Sequence, residues 1–143
     1  MKLYCLTNMY CNGIQAGIQA AHAGIRLLKE YENDNSTSYY STMINDWYNN
    51  HETIVVLNAG DHSALHGYYD LLNQQASMPF AKFNEPGLNY ALTSIAVLCT
   101  EEMVEDMKTI RSGDIMLNLP LAQQYSSNTY ELLKAISSMR TIG

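Results

Sequence analysis

Between Gly13 and Arg26 the sequence GIQAGIQAAHAGIR repeats its residue classes with a helical period. At about 100° per residue it separates into three strips. Ile14, Ile18, Ala21, Ile25 and Leu28 form an apolar stripe, and Ala16, Gly17, Ala20, Ala23 and Gly24 a face with almost no side-chain bulk. Between them run Gln15, Gln19, His22 and Arg26, at spacings of four, three and four. A surface helix ordinarily fills its polar face with Lys and Glu. Here the polar stripe is narrow and mostly uncharged, and both flanking strips read as surfaces that want cover. Its side chains are therefore expected to be half-buried, and half-buried amides need hydrogen-bond partners. The helix is either a polar seam locked into a core or one wall of a site.

The remaining pattern alternates strands with helices. Lys2 to Leu6 reads as an opening strand, and TNMYCNG as a polar loop whose Asn12-Gly13 pair turns the chain into a helix from Ile14 to about Tyr31. After the NDNSTS loop, Ser38 to Asn49 reads as a second helix with Met43 and Trp47 a turn apart. TIVVL, Thr53 to Leu57, is apolar and β-branched throughout, the pattern of a strand covered on both faces. Asp61 caps a helix to about Gln75 with Leu65, Tyr69 and Leu72 facing the core. Phe80 to Phe83 is a short strand, NEPG a turn, and Ala91 to Cys99 a buried strand. Thr100 caps the acidic helix EEMVEDMKTI, which Ser112-Gly113 ends; Leu117 to Leu121 is expected to be irregular around Pro120, and Asn128 to Met139 helical. The order predicts an α/β fold, a three-layer sandwich with a small mixed sheet of about four strands, helices on both faces and extra C-terminal helices.

Composition narrows the function classes. The 143 residues are 47% apolar and only 15% charged, which suits one domain, 1–143, with a sizeable core. Net charge is −6, and the 8 Lys and Arg residues form no run. That argues against a large phosphate-backbone footprint, though not against a small anionic ligand. Cys5, Cys11 and Cys99 are odd in number and lack a CxxC pair, so reduced thiols and a cytoplasmic location are expected. No apolar run reaches membrane-spanning length, so no membrane partner is expected.

Several chemistry-bearing patterns have plain alternatives. His62, His66 and Asp70 share one helix flank at zinc-like spacing, but the glutamate of HExxH is absent and no fourth ligand suggests itself. A solvated flank is the expectation, with no metal site. Cys11 precedes a helix N-terminus, which lowers thiol pKa, but no base lies beside it; an exposed bystander thiol is expected. There is no nucleophile elbow and no P-loop. The 11 tyrosines suit base stacking or an interface, although Tyr68 and Tyr69 sit at core spacing.

The element order and two motifs resemble the class 2 peptidyl-tRNA hydrolases of archaea and eukaryotes. That family's first helix reads Lys-x-x-x-Gln-x-x-His-Ala, and this chain has Gln15, Gln19, His22 and Ala23 at those spacings, with QAAHA similar to Gln-Cys-Ala-His-Ala. The family's Asp-Ala-Gly-x-Thr loop and Gly-Thr-x-Thr strand find counterparts in Glu85-Pro86-Gly87-Leu88-Asn89 and in Thr93 of ALTSIAVLC. The resemblance spans residues 1–100 and leaves 101–143 as a helical addition. Its departures bear on function: the family's catalytic Lys falls on Gln15, its Asp on Glu85 and its Thr on Asn89. An amide cannot replace an ammonium where negative charge develops, a loss of about 100-fold or more.

The resemblance therefore implies a kept fold with the hydrolase chemistry lost; small relatives of this fold look like those carried by large tailed phages, which would make the host cytoplasm the setting. The expected site is a pocket lined by Asn8, Tyr10, Asn12, Gly13, Gln15, Gln19, His22, Glu85, Gly87 and Asn89, able to hold a nucleotide-like ligand. An anti-defence protein that sequesters a signalling nucleotide, without a cofactor, is the first expectation. The alternatives are an active hydrolase acting at the tRNA 3′ end, with Glu85 as acidic residue and Gln15 and Asn89 positioning water, and a homo-oligomeric interaction module. For two pocket residues a plainer role stays open: His22 donating to a backbone carbonyl, and Gln19 sealing a core seam.

Overall fold

A computed structural model describes residues 1–32, 38–74 and 76–142. In chain order the elements are β1 (Lys2–Thr7), α1 (Gly13–Glu32), α2 (Tyr39–Asn50), β2 (Ile54–Asn58), α3 (His62–Asn73), β3 (Phe80–Glu85), a 3-10 turn (Pro86–Leu88), β4 (Ala91–Cys99), α4 (Glu101–Ser112), α5 (Ile115–Gln124), α6 (Ser127–Ser138) and β5 (Arg140–Thr141). The strands form one mixed sheet in the order β3-β4-β1-β2-β5. β1 runs parallel to β2, and the remaining pairs are antiparallel. The α/β class, the mixed sheet and helices on both faces are as the sequence pattern predicts; the two-residue β5 was not foreseen.

Alternation along β1 and β4 divides the core between the two faces. Leu3 and Cys5 of β1, with Ala96 and Leu98 of β4, meet Ala20, Ala23 and Leu27 of α1 and Met43, Ile44 and Trp47 of α2. Tyr4 and Leu6, with Ile95, Val97 and Cys99, meet Leu65 and Leu72 of α3, Met103, Met107 and Ile110 of α4, and Leu132, Leu133 and Ile136 of α6. The helices after residue 100 thus build the greater part of the second layer. Among the described residues no helix is long and apolar enough to cross a membrane.

Caps set the helix starts. Ser38, Asp61, Thr100, Asp114 and Ser126 each accept a hydrogen bond from a backbone N–H of the first turn they precede. Gly113 ends α4 with φ +73°, a left-handed C-cap that favours glycine.

Four expectations change. The isoleucine stripe of α1 is not covered: Ile14, Ile18 and Ile25 are 84%, 43% and 61% exposed. The strip that meets the sheet is Ala16, Gln19, Ala20, Ala23 and Leu27, because small side chains let the helix backbone approach β1, β3 and β4 closely. β2 is covered only in part, with Ile54 at 55% exposed, because it lines a groove beside Gly17, Ala21 and Gly24 of α1, whose small side chains leave that face open. Leu117 to Leu121 is helical within α5 rather than irregular. Asp114 caps the N–H groups of Met116 and Leu117, and Asn118 Nδ2 donates to the Thr109 and Asp114 carbonyls. That network holds the turn before Pro120, whose missing N–H falls on an exposed helix where water can serve the freed carbonyl. Cys11 is buried, 5% exposed, not an accessible bystander. Most of the NDNSTS loop, residues 33–37, and Gln75 lie outside the described residues.

Candidate functional site

β1 and β2 run parallel and end on the same side, where β4 begins. Ligands of open α/β sheets collect outside the carboxyl ends of such strands. The loops there are tied together by backbone bonds: Asn8 N donates to Thr93 O (2.9 Å), Met9 N to Gly60 O (2.7 Å) and Ala59 N to Thr7 O (2.8 Å).

Polar side chains are concentrated at this end. The buried polar residues among those described are Thr7, Asn8, Gln19, Ser41, Thr93, Ser94 and Thr129, and all but Ser41 and Thr129 lie here. Each has a partner, as buried polar groups require. Gln19 is 1% exposed and bridges two elements. Its Oε1 accepts from Thr93 Oγ1 (2.6 Å) and its Nε2 donates to Glu85 Oε2 (3.4 Å). Thr7 Oγ1 and Ser94 Oγ share a hydrogen bond of 3.0 Å. Asn8 Oδ1 accepts from the Tyr10 N–H (3.0 Å), while its Nδ2 faces Leu92 O and His62 Nδ1.

The loop from Glu85 to Tyr90 closes one side. Glu85 caps the 3-10 turn, its Oε1 accepting from Gly87 N (3.4 Å). Asn89 and Tyr90 both adopt left-handed backbone, φ +55° and +60°. Asn tolerates that conformation, but a tyrosine there carries strain of about 1 kcal/mol or more. The loop is held by Tyr90 N donating to Glu85 O (2.9 Å) and by Asn84 Nδ2 donating to Tyr90 O (3.0 Å). The Tyr90 ring projects, 69% exposed, as does Tyr10 at 70%.

Burial, and secondly the nearby Glu85 carboxylate, push the Cys11 thiol pKa up, so Cys11 is held as a neutral thiol instead of an activated thiolate. No salt bridge among the described residues involves Glu85, whose carboxylate is spent on an amide and a backbone N–H.

The structure brings Asn8, Gln19 and Glu85 into one network with Thr93. Asn12, Gly13 and Gln15 form the exposed start of α1, where Gln15 N donates to Asn12 O (3.1 Å) and Gly13 takes φ +54°. Gly87 and Asn89 are exposed on the loop after β3. His22 stands apart: its exposed ring stacks on Phe83 with centroids 4.2 Å apart and planes within 6°. Thr7, Ser94 and Tyr90 belong to the same end of the sheet and were missed by sequence reasoning, and Thr93 was placed only as a strand residue. The available signal was Thr93-Ser94 inside an otherwise apolar buried strand, where hydroxyls need partners. Asp61 caps α3 as expected, through Ala64 N (2.9 Å). His62, His66 and Asp70 are all exposed along that helix, the solvated flank expected of them.

No protein-family model matches this chain, and no curated protein matches it.

Proposed function

We propose that the chain is a binding protein that holds a nucleotide-like ligand between the start of α1 and the Glu85–Asn89 loop, without efficient turnover. The observation that carries this reading is the buried hydroxyl and amide network at the ends of β1 and β4, with Gln15, Asn89, Tyr10 and Tyr90 exposed on the loops and helix start at that end of the sheet. A network with every donor and acceptor satisfied is rigid. Exposed amides and phenol rings suit the edges and faces of a base. Catalysis is less well served. Position 15 carries an amide where an ester hydrolase of the resembled class has an ammonium, and the Glu85 carboxylate is already engaged by Gln19 and Gly87. Capture without turnover is the chemistry of a sponge, in keeping with a phage product that withdraws a signalling nucleotide.

Isothermal titration against linear and cyclic nucleotides is expected to find a stoichiometric binder, weakened in Gln15→Ala and in Asn89→Ala. Silence across the panel overturns the reading. Release of N-acetyl-amino acid from charged tRNA, abolished in Glu85→Ala, would replace it with ester hydrolysis.

The exposed side of α1 supports a second reading, association of two copies of the chain. Ile14, Ile18 and Ile25 form a ridge beside a groove of about 280 Å³ floored by Gly17, Ala21 and Gly24. A ridge next to a groove on one helix is self-complementary about a two-fold axis. Light scattering after size exclusion is expected to give a dimer that Ile25→Asp dissociates; a monomer at high concentration removes the reading.

A further inference from the structure

Three of the eight cationic side chains in this acidic protein, Arg26, Lys29 and Lys82, converge on one groove of about 410 Å³ at the free edge of β3. Arg26 and Lys29 are a turn apart on α1, and Lys82 rises from the strand beside it. Tyr69, Asn73, Phe80, Ala81 and Glu30 complete the lining. A volume of that size lies within the range of small-molecule sites.

What distinguishes this groove is how its cations are held. Arg26 lies 5.8 Å from the centroid of the Phe83 ring, and Lys82 Nζ lies 4.5 Å from that of Tyr69. Aromatic faces position a cation without cancelling its charge. No salt bridge between described residues involves Arg26, Lys29 or Lys82. A second groove also gathers three cations, Lys2, Lys108 and Arg111, but there Lys108 is paired with Glu105 at 2.9 Å. Glu30 is the one acid in the lining against three cations, so the groove is left net positive and its like charges repel one another, a cost that an arriving anion removes.

We propose that the β3-edge groove is a site for the terminal phosphate of a small phosphomonoester. The Arg26 guanidinium offers the planar fork that grips phosphate oxygens in pairs, and Lys29 and Lys82 add point charge. Glu30 and Asn73 supply acceptors for hydroxyl or amino groups on the rest of the ligand, which free phosphate would leave unused. Three cations on a chain of net charge −6 do not make the extended footprint of a nucleic-acid backbone. The groove does not depend on the site at the start of α1. Arg26 is about 16 Å along the helix from Gln15, at about 1.5 Å per residue, so either site can fail while the other stands.

The test is a titration of the full chain followed by backbone amide shifts, with inorganic phosphate, adenosine 5′-monophosphate, adenosine and a ten-residue oligothymidylate lacking terminal phosphates as separate probes. Saturable shifts at residues 26–30 and 81–83 are expected with the monophosphate, weaker ones with inorganic phosphate and none with adenosine. Arg26→Ala and Lys82→Ala are each expected to weaken monophosphate binding by about fivefold, and Arg26→Lys by less. All three side chains are exposed, and an unchanged reference spectrum verifies that the variants fold. The proposal is overturned if the groove amides do not move, if adenosine moves them equally, if the Arg26→Ala/Lys82→Ala double variant binds as tightly as the parent, or if the oligothymidylate binds more tightly than the monophosphate.

Discussion

The two long faces of α1 invert the usual arrangement of an amphipathic helix. The face of alanines, with one glutamine, is pressed against the sheet; Ala16, Ala20, Ala23 and Leu27 are at most 4% exposed. The face of isoleucines looks outward. Hydrophobicity alone would choose the isoleucines, since each buries far more area. Close approach decides the other way. Against the sheet the space is already taken by Leu3, Cys5, Ala81, Phe83, Ala96 and Leu98, and only a helix with almost no side chains on that side can bring Gln19 within hydrogen-bond distance of Thr93. The lesson is that the small strip marks the packing surface and the buried glutamine marks its register.

The largest test acts on both layers at once. Burial raises Cys5, in the α1 layer, and Cys99, in the opposite layer, from 9.0 to about 12, and raises Tyr4 from 10.0 to about 12. The unfolded chain releases these protons first, so stability is expected to be fully present below about pH 9 and to fall as pH rises from there to about 12. Circular dichroism against pH follows this directly, and stability unchanged up to pH 12 would show that the thiols are not buried as described. Leu27→Ala comes next, at about 2–5 kcal/mol by urea unfolding, the range for emptying a well-packed core site.

Ala23→Leu separates the two explanations of α1. If close approach governs, the larger side chain is expected to cost about 1–3 kcal/mol despite being more apolar; a gain in stability would return the choice to hydrophobicity. Gln19→Leu sharpens the role of the register residue. It leaves the Thr93 hydroxyl only its longer bond to Phe83 O (3.4 Å) and takes the amide donor from one Glu85 oxygen, so a loss of about 1 kcal/mol is expected, along with changed amide shifts in the Glu85–Tyr90 loop. The smallest effect belongs to the outward face. Ile14→Ser is expected to change stability by no more than about 0.5 kcal/mol, and a larger loss would mean that a partner or a second copy covers the stripe.

Sequence periodicity and turn chemistry made most of the fold legible. The 3.6-residue repeat of α1, the capping residues Asp61 and Thr100, the Gly113 stop and the apolar run of β4 are local signals that survive in the structure. Pro120 misled for a local reason, because a breaker outweighs its surroundings until Asn118 and Asp114 are seen to pin the turn before it. Of the candidate site, Gln19 was legible as an amide in a place that demands partners, Asn8 as a residue of the loop before α1, and Glu85 through the resemblance of its loop. Thr7, Ser94 and Tyr90 were not, since their meaning depends on strands far apart in sequence lying side by side.

The chain by itself determined its elements up to α4, their order and the polar stripe Gln15, Gln19, His22, Arg26, because helix period and caps act within a few residues. Only the tertiary structure decided which strip of α1 faces inward, and with it how that stripe is divided. Gln19 goes to the core network, His22 to the face of Phe83, and Arg26 to the charged edge of β3. Those assignments depend on steric room and long-range pairing across the sheet, which no local pattern encodes.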